Sequence, residues 1–465
     1  MLFSSITFLY YFLPLIIIFY FLVPFRFKNF VLLLFSLIFY SWGEPKYIIL
    51  MILSIFCGYI EGLLIQKSAE KKYSRWVLAC SCCIHLGLLG YFKYFDFLIE
   101  NINVLGGHLS PLRIALPIGI SFYTFQIISY LIDVYRRDCN AQHNLISFGA
   151  YVSMFPQLIA GPIVRYKDIE SQLLFRTHSI SKASLGIRRF VIGLSKKVLL
   201  ANSFGKLCSI FLETQDPSIL YYWLYAVSFA LQIYFDFSGY SDMAIGLGKL
   251  FGFEFPENFN YPYMSKSVTE FWRRWHMTLG NWFRDYVYIP MGGNRVSKKR
   301  WFFNIAVVWF LTGLWHGAAW NFILWGLLFA VILVLEKQWI GKLLGKHSII
   351  SHFYVIGVLI ISFVIFNATD LQNLRDTLLV LFTGNGLPFV SHEFLYYFKS
   401  YGVLLFVGIL GATPLCKEIY SNLESKEKWN HTFTILEPLI LLILACIVTA
   451  YLINDSYNPF LYFRF

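Results

Sequence analysis

Charge is scarce in this sequence. Only 14% of its 465 residues are Asp, Glu, Lys or Arg, where an average soluble domain carries about a quarter, and mean hydropathy is +0.60. That excludes a soluble enzyme, and the composition equally excludes a disordered chain, a coiled coil, collagen and a disulfide scaffold. Cysteine is sparse: the eight cysteines fall mostly inside apolar stretches, and Cys80-Ser-Cys-Cys83 has no second Cys/His cluster at ligand spacing. No metal is expected, and the thiols read as helix-packing residues. No Walker or Rossmann glycine pattern and no Gly-x-Ser-x-Gly elbow occurs, which removes the commonest nucleotide-binding and serine-hydrolase chemistries. The first apolar run, Phe8 to Val23, leads into Phe25-Arg-Phe-Lys28 without a small-residue cleavage site, so the first helix is expected to be a retained anchor.

Apolar runs are what the sequence has in plenty. Stretches near 6–24, 29–42, 46–65, 76–95, 112–134, 187–212, 218–236, 302–315, 318–335, 350–367, 396–413 and 433–453 approach the roughly 20 residues that cross a bilayer. They predict an all-α polytopic membrane protein of ten to twelve tilted spans with re-entrant and interfacial segments. With no repeat of fixed period, a single membrane domain over 1–465 is expected, with a cationic and aromatic interfacial segment at 254–300 and an outward tail at 454–465. The net charge of +12 belongs to basic loops that the span count places on one, cytoplasmic, side; no nucleic-acid partner is implied. Aromatic residues, 48 Phe, 31 Tyr and 13 Trp, exceed what two interfacial belts need and must also line helix contacts or a cavity. Interruptions at Phe155-Pro-Gln-Leu-Ile-Ala-Gly-Pro162 and at Ser238-Gly-Tyr-Ser-Asp242 are tolerated at membrane depth only where protein or water covers the freed backbone, so a hollow centre is expected.

Two histidines stand in aromatic surroundings. His316 lies in Leu311-Thr-Gly-Leu-Trp-His-Gly-Ala-Ala-Trp320, where helical spacing puts Trp309, Thr312, His316 and Trp320 on one face, and Gly313 and Gly317 admit a neighbouring helix or a substrate beside the imidazole. An ionisable group at that depth is a functional candidate by default; a packing histidine bonded to a carbonyl is the plain alternative. His276, on a predicted interfacial helix, shares a face with Trp272, Leu279 and Phe283. Two imidazoles near no carboxylate motif suit proton abstraction from a hydroxyl. Arg273 and Arg274, with Lys266, Arg284, Arg295 and Lys298 to Arg300, either anchor the segment or hold a phosphate-bearing donor. Asp236 and Asp242 read as structural partners of backbone donors or arginines.

These residues carry a resemblance. Phe271-Trp-Arg-Arg-Trp-His276, Trp282-Phe-Arg-Asp-Tyr-Val-Tyr-Ile-Pro-Met-Gly-Gly-Asn-Arg295, Trp315-His-Gly317, Pro156-Gln-Leu-Ile-Ala-Gly-Pro162 and Phe235-Asp-Phe-Ser-Gly-Tyr-Ser-Asp-Met-Ala-Ile-Gly246 resemble the membrane-bound O-acyltransferase (MBOAT) family, in its alginate O-acetyltransferase-like bacterial branch. The resemblance implies a ring of helices around a central funnel, with His316 and His276 as catalytic residues; beside them, Arg273, Arg274, Trp309 and Trp320 are the donor-binding candidates. It further implies a multi-pass protein of the bacterial plasma membrane that takes an acetyl group from acetyl-CoA, with no bound cofactor. An extracytoplasmic SGNH-type partner would pass the group to a polysaccharide. The ending Gly292-Gly-Asn-Arg295 favours acetyl over D-alanyl transfer; a D-alanyl or other short-acyl transferer, or a transporter or flippase of an acylated envelope precursor, is the alternative. The tail ending Pro459-Phe-Leu-Tyr-Phe-Arg-Phe465 resembles the tyrosine-bearing tails of companion proteins in teichoic-acid D-alanylation, which makes Tyr462 a candidate acyl relay.

Overall fold

The computed structural model describes residues 1–344, 347–454, 457–459 and 461. Among them every regular element is helical: α1 Leu13–Leu22, α2 Lys28–Gly43, α3 Ile48–Lys67, α4 Ser74–Val104, α5 Ile120–Arg136, α6 Leu145–Ser153, α7 Phe155–Leu158, α8 Tyr166–Leu174, α9 Ile180–Ser195, α10 Asn202–Leu212 and α11 Ile219–Leu250. There follow α12 Val268–Trp272, α13 Met277–Phe283, α14 Lys298–His316, α15 Trp320–Leu335, α16 Gly341–Leu344, α17 Ser348–Asn367, α18 Leu371–Thr383, α19 His392–Gly411, α20 Leu415–Glu424 and α21 Glu427–Asn454. An all-α polytopic membrane protein is borne out. Among the described residues seven helical stretches are long and apolar enough to cross a membrane: Phe25–Gly43, Ile48–Lys67, Ser74–Val104, Trp320–Ile340, Ser348–Asn367, His392–Gly411 and Thr434–Asn454, with Phe8–Leu22 as a shorter apolar helix. The other expected spans are helical but different in kind. α5 is buried along nearly its whole length, and α14 carries Asn304, Thr312 and His316.

Two compact units divide the chain. Met1–Phe190 with Ser241–Glu257 forms the first. Its core holds an aromatic cluster in which Phe3 meets Phe8 at 4.9 Å between ring centroids, Phe12 meets Phe155 at 5.4 Å and Phe39 meets Phe155 at 5.5 Å. The expected interruption after Phe155 is present: α7 is a four-residue helix, and Phe155 N–H is taken by Ser36 Oγ at 3.1 Å, which satisfies a donor the break would otherwise strand.

Val191–Tyr240 with Asn258–Phe465 forms the second unit. Here the expected break at Ser238 to Asp242 does not occur, because α11 runs unbroken through it. Gly239 serves approach instead of turning: a Cβ there would lie 2.7 Å from Gly193 O and 3.1 Å from Lys197 N, so its absence lets α9 and α11 pack backbone to backbone. α14 and α15 form a tighter hairpin. Added β-carbons at Gly313 and Gly317 would overlap Phe322, and one at Gly326 would overlap the Trp309 carbonyl. The glycine pair beside His316 therefore admits a neighbouring helix.

Candidate active site

The segment between α11 and α14 is not one interfacial helix. α12 lasts five residues, capped by Ser267 Oγ accepting from Glu270 N–H at 3.0 Å. Buried Glu336 completes that cap, accepting from Val268 N–H at 2.6 Å, Thr269 N–H at 2.9 Å and Thr269 Oγ1 at 2.8 Å. The chain then turns at His276, whose φ of 44° and ψ of 50° put a non-glycine residue in the left-handed region, a conformation costing about 1–3 kcal/mol and held only where the surroundings over-determine it. Asn258 supplies the hold. Its carbonyl accepts from Met277 N–H at 3.0 Å, and its side-chain oxygen lies 3.3 Å from Thr278 N, 2.9 Å from Thr278 Oγ1 and 3.1 Å from His276 Nδ1.

These contacts set the tautomer of His276. A backbone N–H can only donate, so the amide end facing Thr278 is the oxygen, and the ring nitrogen facing that oxygen must carry the proton. With Nδ1 protonated, neutral His276 presents a lone pair at Nε2, a buried atom with no hydrogen-bond partner among the described residues. Burial first, and the neighbouring His316 second, hold its pKa well below the ordinary histidine value, so the ring is uncharged near neutrality.

His316 is the last residue of α14 and is buried. Its ring centroid lies 5.0 Å from Trp315, 5.0 Å from Trp325 and 5.2 Å from Phe366. His276 touches the same indole, 5.7 Å from Trp315, and packs edge-on against Phe237 at 4.6 Å. The two imidazoles singled out in the sequence, 40 residues apart by number, thus share one indole in an aromatic enclosure. Trp325 and Trp272, whose rings stand 5.6 Å apart, each bury an Nε1 donor with no acceptor among the described residues. An imidazole acceptor and indole donors in a buried aromatic enclosure are what deprotonation of a hydroxyl and stabilisation of a developing oxyanion require.

Other sequence-predicted residues fall in different places. Trp309 joins the enclosure indirectly, packing on Trp272 at 4.7 Å and Phe329 at 5.4 Å. Trp320 does not share a helical face with His316: α14 ends at His316, and Trp320 opens α15, about half exposed. His276 likewise shares no helix with Trp272. Arg274 is engaged locally, 2.8 Å from Glu270 and 3.3 Å from the Asn260 carbonyl. Arg273, Lys266, Arg284, Arg295 and Lys298 to Arg300 are exposed. Asp242 pairs with Arg189 at 2.9 Å, and Asp236 accepts from Leu461 N–H at 3.0 Å, the structural parts expected of them. Tyr462 lies outside the described residues; earlier in the tail, Tyr457 and Ser209 hydroxyls are 3.1 Å apart, and Asn202 donates to Asn458 at 3.2 Å. Among the described residues no group of three or more His, Cys, Asp or Glu could hold a metal ion. Asn258 is the residue that sequence reasoning missed; its signal was a polar amide in Pro256-Glu-Asn-Phe-Asn-Tyr261, between aromatic stretches.

A family model described as MBOAT, membrane-bound O-acyltransferase, matches residues 135–344, which include both histidines. A Pseudomonas putida protein named "Probable alginate O-acetylase AlgI" is 37% identical over 492 aligned positions, covering all of both chains. The chain belongs to the membrane-bound O-acyltransferase family. A Pseudomonas aeruginosa protein of the same name is 43% identical over 381 positions, 80% of this chain and 73% of that one. The Helicobacter pylori "Peptidoglycan O-acetyltransferase" is 33% identical over 425 positions, 83% and 81% respectively. This membrane-bound O-acyltransferase is therefore a multi-pass membrane enzyme that uses an acyl donor, and the aromatic enclosure around His276 and His316 is its candidate active site.

Proposed function

We propose that this O-acyltransferase takes an acetyl group from acetyl-CoA at the cytoplasmic face of the bacterial inner membrane and moves it outward for O-acetylation of an envelope or extracellular polysaccharide. The observation that carries the reading is the meeting of His276 and His316 on Trp315 inside a buried aromatic enclosure. The names of the relatives, alginate O-acetylase and peptidoglycan O-acetyltransferase, support the acetyl group and the glycan.

In this mechanism His316 takes the proton of the acceptor hydroxyl as its oxygen forms a bond to the thioester carbonyl carbon. The tetrahedral oxyanion collapses, the carbon–sulfur bond breaks, and the proton passes to the leaving thiolate. His276 is the second catalytic residue, set by Asn258 and presenting Nε2. Trp325 Nε1 serves as the oxyanion donor. Arg273 and Arg274, with the exposed cations around them, attract the donor's phosphates, Trp309 lines the aromatic wall, and Trp320 stands where the donor enters. Tyr462 is the outward acyl relay, and an SGNH-type extracytoplasmic partner receives the group from it.

The deciding experiment uses purified protein in nanodiscs with labelled acetyl-CoA. Label transfer and thioester cleavage that vanish in His316→Ala while folding persists support the assignment; undiminished cleavage in that variant overturns it. Loss of a general base costs about two to four decades of rate.

A further inference from the structure

Within the first unit three basic side chains converge on one tyrosine, with no acid among them. Tyr20 is fully buried at the end of α1, and its hydroxyl donates to the Phe251 carbonyl at 2.7 Å. A tyrosine has one hydroxyl proton, so the two nitrogens also bonded to that oxygen, Arg176 Nε at 2.8 Å and His178 Nε2 at 2.9 Å, both act as donors. Lys28 completes the group, its ammonium 4.4 Å from the Tyr20 ring centroid and 4.9 Å from that of Phe21.

Among the described residues no carboxylate pairs with Lys28 or Arg176. Arg176 is 7% exposed; its other bonds go to Asn29 Oδ1 at 2.7 Å and the Gln172 carbonyl at 3.2 Å, and its Nη2 is a buried donor without a partner among the described residues. Lys28, 9% exposed, rests on the Tyr20 and Phe21 rings, with no other partner among the described residues. The carboxylate on the neighbouring turn, Glu254, is exposed and pairs with Lys182 at 3.1 Å. Buried charge without a counter-charge is strongly unfavourable, and the field is felt locally: burial, then Lys28 and Arg176, lower the pKa of His178. Gly252 keeps the place open, since a Cβ there would stand 3.2 Å from His178 Nε2 and 3.3 Å from Arg176 Cδ.

The surroundings identify the kind of anion. Phe175 and Ile180, which bracket Arg176 and His178 in sequence, are 84% and 90% exposed, and Leu22, Phe25 and Phe27, next to Lys28, are exposed as well. A site for a soluble anion would not be ringed by apolar side chains facing outward. α1 ends and α2 begins here, so the cluster stands at the end of apolar helices, where headgroups lie. Cationic niches between such helices accept anionic lipid headgroups. We propose that Lys28, Arg176 and His178 form a binding site for the phosphate of an anionic phospholipid, whose acyl chains lie along the exposed Phe and Leu side chains beside it.

The test reconstitutes the full chain in nanodiscs of phosphatidylcholine alone or mixed with phosphatidylglycerol, reading thermal unfolding, and counts retained phosphatidylglycerol by native mass spectrometry. Phosphatidylglycerol is expected to raise the unfolding temperature and to remain bound. Lys28→Gln, which removes no hydrogen bond, is expected to weaken retention about fivefold, the share of one cation at a membrane surface, and Lys28→Arg to restore it. Arg176→Gln is a second variant, read by retention only if it folds, and Lys28→Gln decides the matter alone if it does not. Equal stabilisation by both lipids, or unchanged retention in Lys28→Gln, overturns the site. Inorganic phosphate matching the effect of phosphatidylglycerol in phosphatidylcholine discs overturns the lipid as its source.

Discussion

Lys197 Nζ lies 2.7 Å from Asp236 Oδ1, and both side chains are buried. Each also grips the C-terminal segment: Lys197 donates to the Pro459 carbonyl and to Asn202 Oδ1 at 2.8 Å, while Asp236 accepts from Leu461 N–H. Asp236→Ala leaves a buried ammonium without its counter-charge and is expected to destabilise the fold by about 3–5 kcal/mol. The paired change Lys197→Met with Asp236→Leu is expected to recover most of that stability. It still removes the acceptor of Leu461, so a cysteine placed at 461 labels faster in both variants than in the parent. Equal labelling in all three would mean that the pair does not hold the tail.

Tyr462 follows directly on that held segment. Tyr462→Phe keeps the ring and removes the hydroxyl, so a relay fails and an anchor survives. Loss of glycan acetylation in cells is expected, with label from acetyl-CoA still released by the purified variant. Normal acetylation would reduce the tail to an anchor.

Asn258→Leu is expected to lower the transfer rate by about two decades, the lower part of the range for losing a positioned acid–base group, with the donor's KM little changed. The reason is positional: without the amide oxygen, Nδ1 of His276 has no acceptor and the tautomer is free. Asn258→Asp keeps an acceptor and should retain part of the activity while shifting the pH profile upward, because a carboxylate stabilises the imidazolium. A purely structural Asn258 would lose stability without moving that profile.

Acid should weaken the fold. His276 has a folded pKa well below 6.5, and His178 is shifted the same way. As pH falls through 6.5 the unfolded chain binds protons that the folded chain does not. Stability is therefore full above that value and declines below it. Unfolding temperatures in nanodiscs across this range, compared between the parent and His276→Asn, are expected to show a shallower decline in the variant.

Much of this was legible in the sequence because hydropathy speaks for long elements. α3, α17 and the last span, Thr434–Asn454, each follow from their apolar runs, and the aromatic company of His316 and His276 pointed to one site. Two features were not legible, for physical reasons. Phe271 to Phe283 has helical spacing on both sides of His276, and only the bonds from Asn258, 18 residues earlier, make the left-handed turn stable; local periodicity carries no trace of a distant acceptor. Ser238-Gly239 looked like a break because glycine weakens helices. Here the missing Cβ makes room for the Gly193 carbonyl, and tertiary packing outweighs propensity.

His276 is steadied by an amide and not by a carboxylate, and this bears on what the enzyme must refuse. A thioester is vulnerable to any hydroxyl, and water is the most abundant one. An acid–histidine couple would raise the basicity of the ring and hydrolyse the donor whenever a water strayed in. In the proposed mechanism a neutral partner, inside rings of Trp and Phe, leaves His276 less basic than a carboxylate would. On that proposal idle turnover is expected to be low, with the choice of acceptor resting on residence at the site.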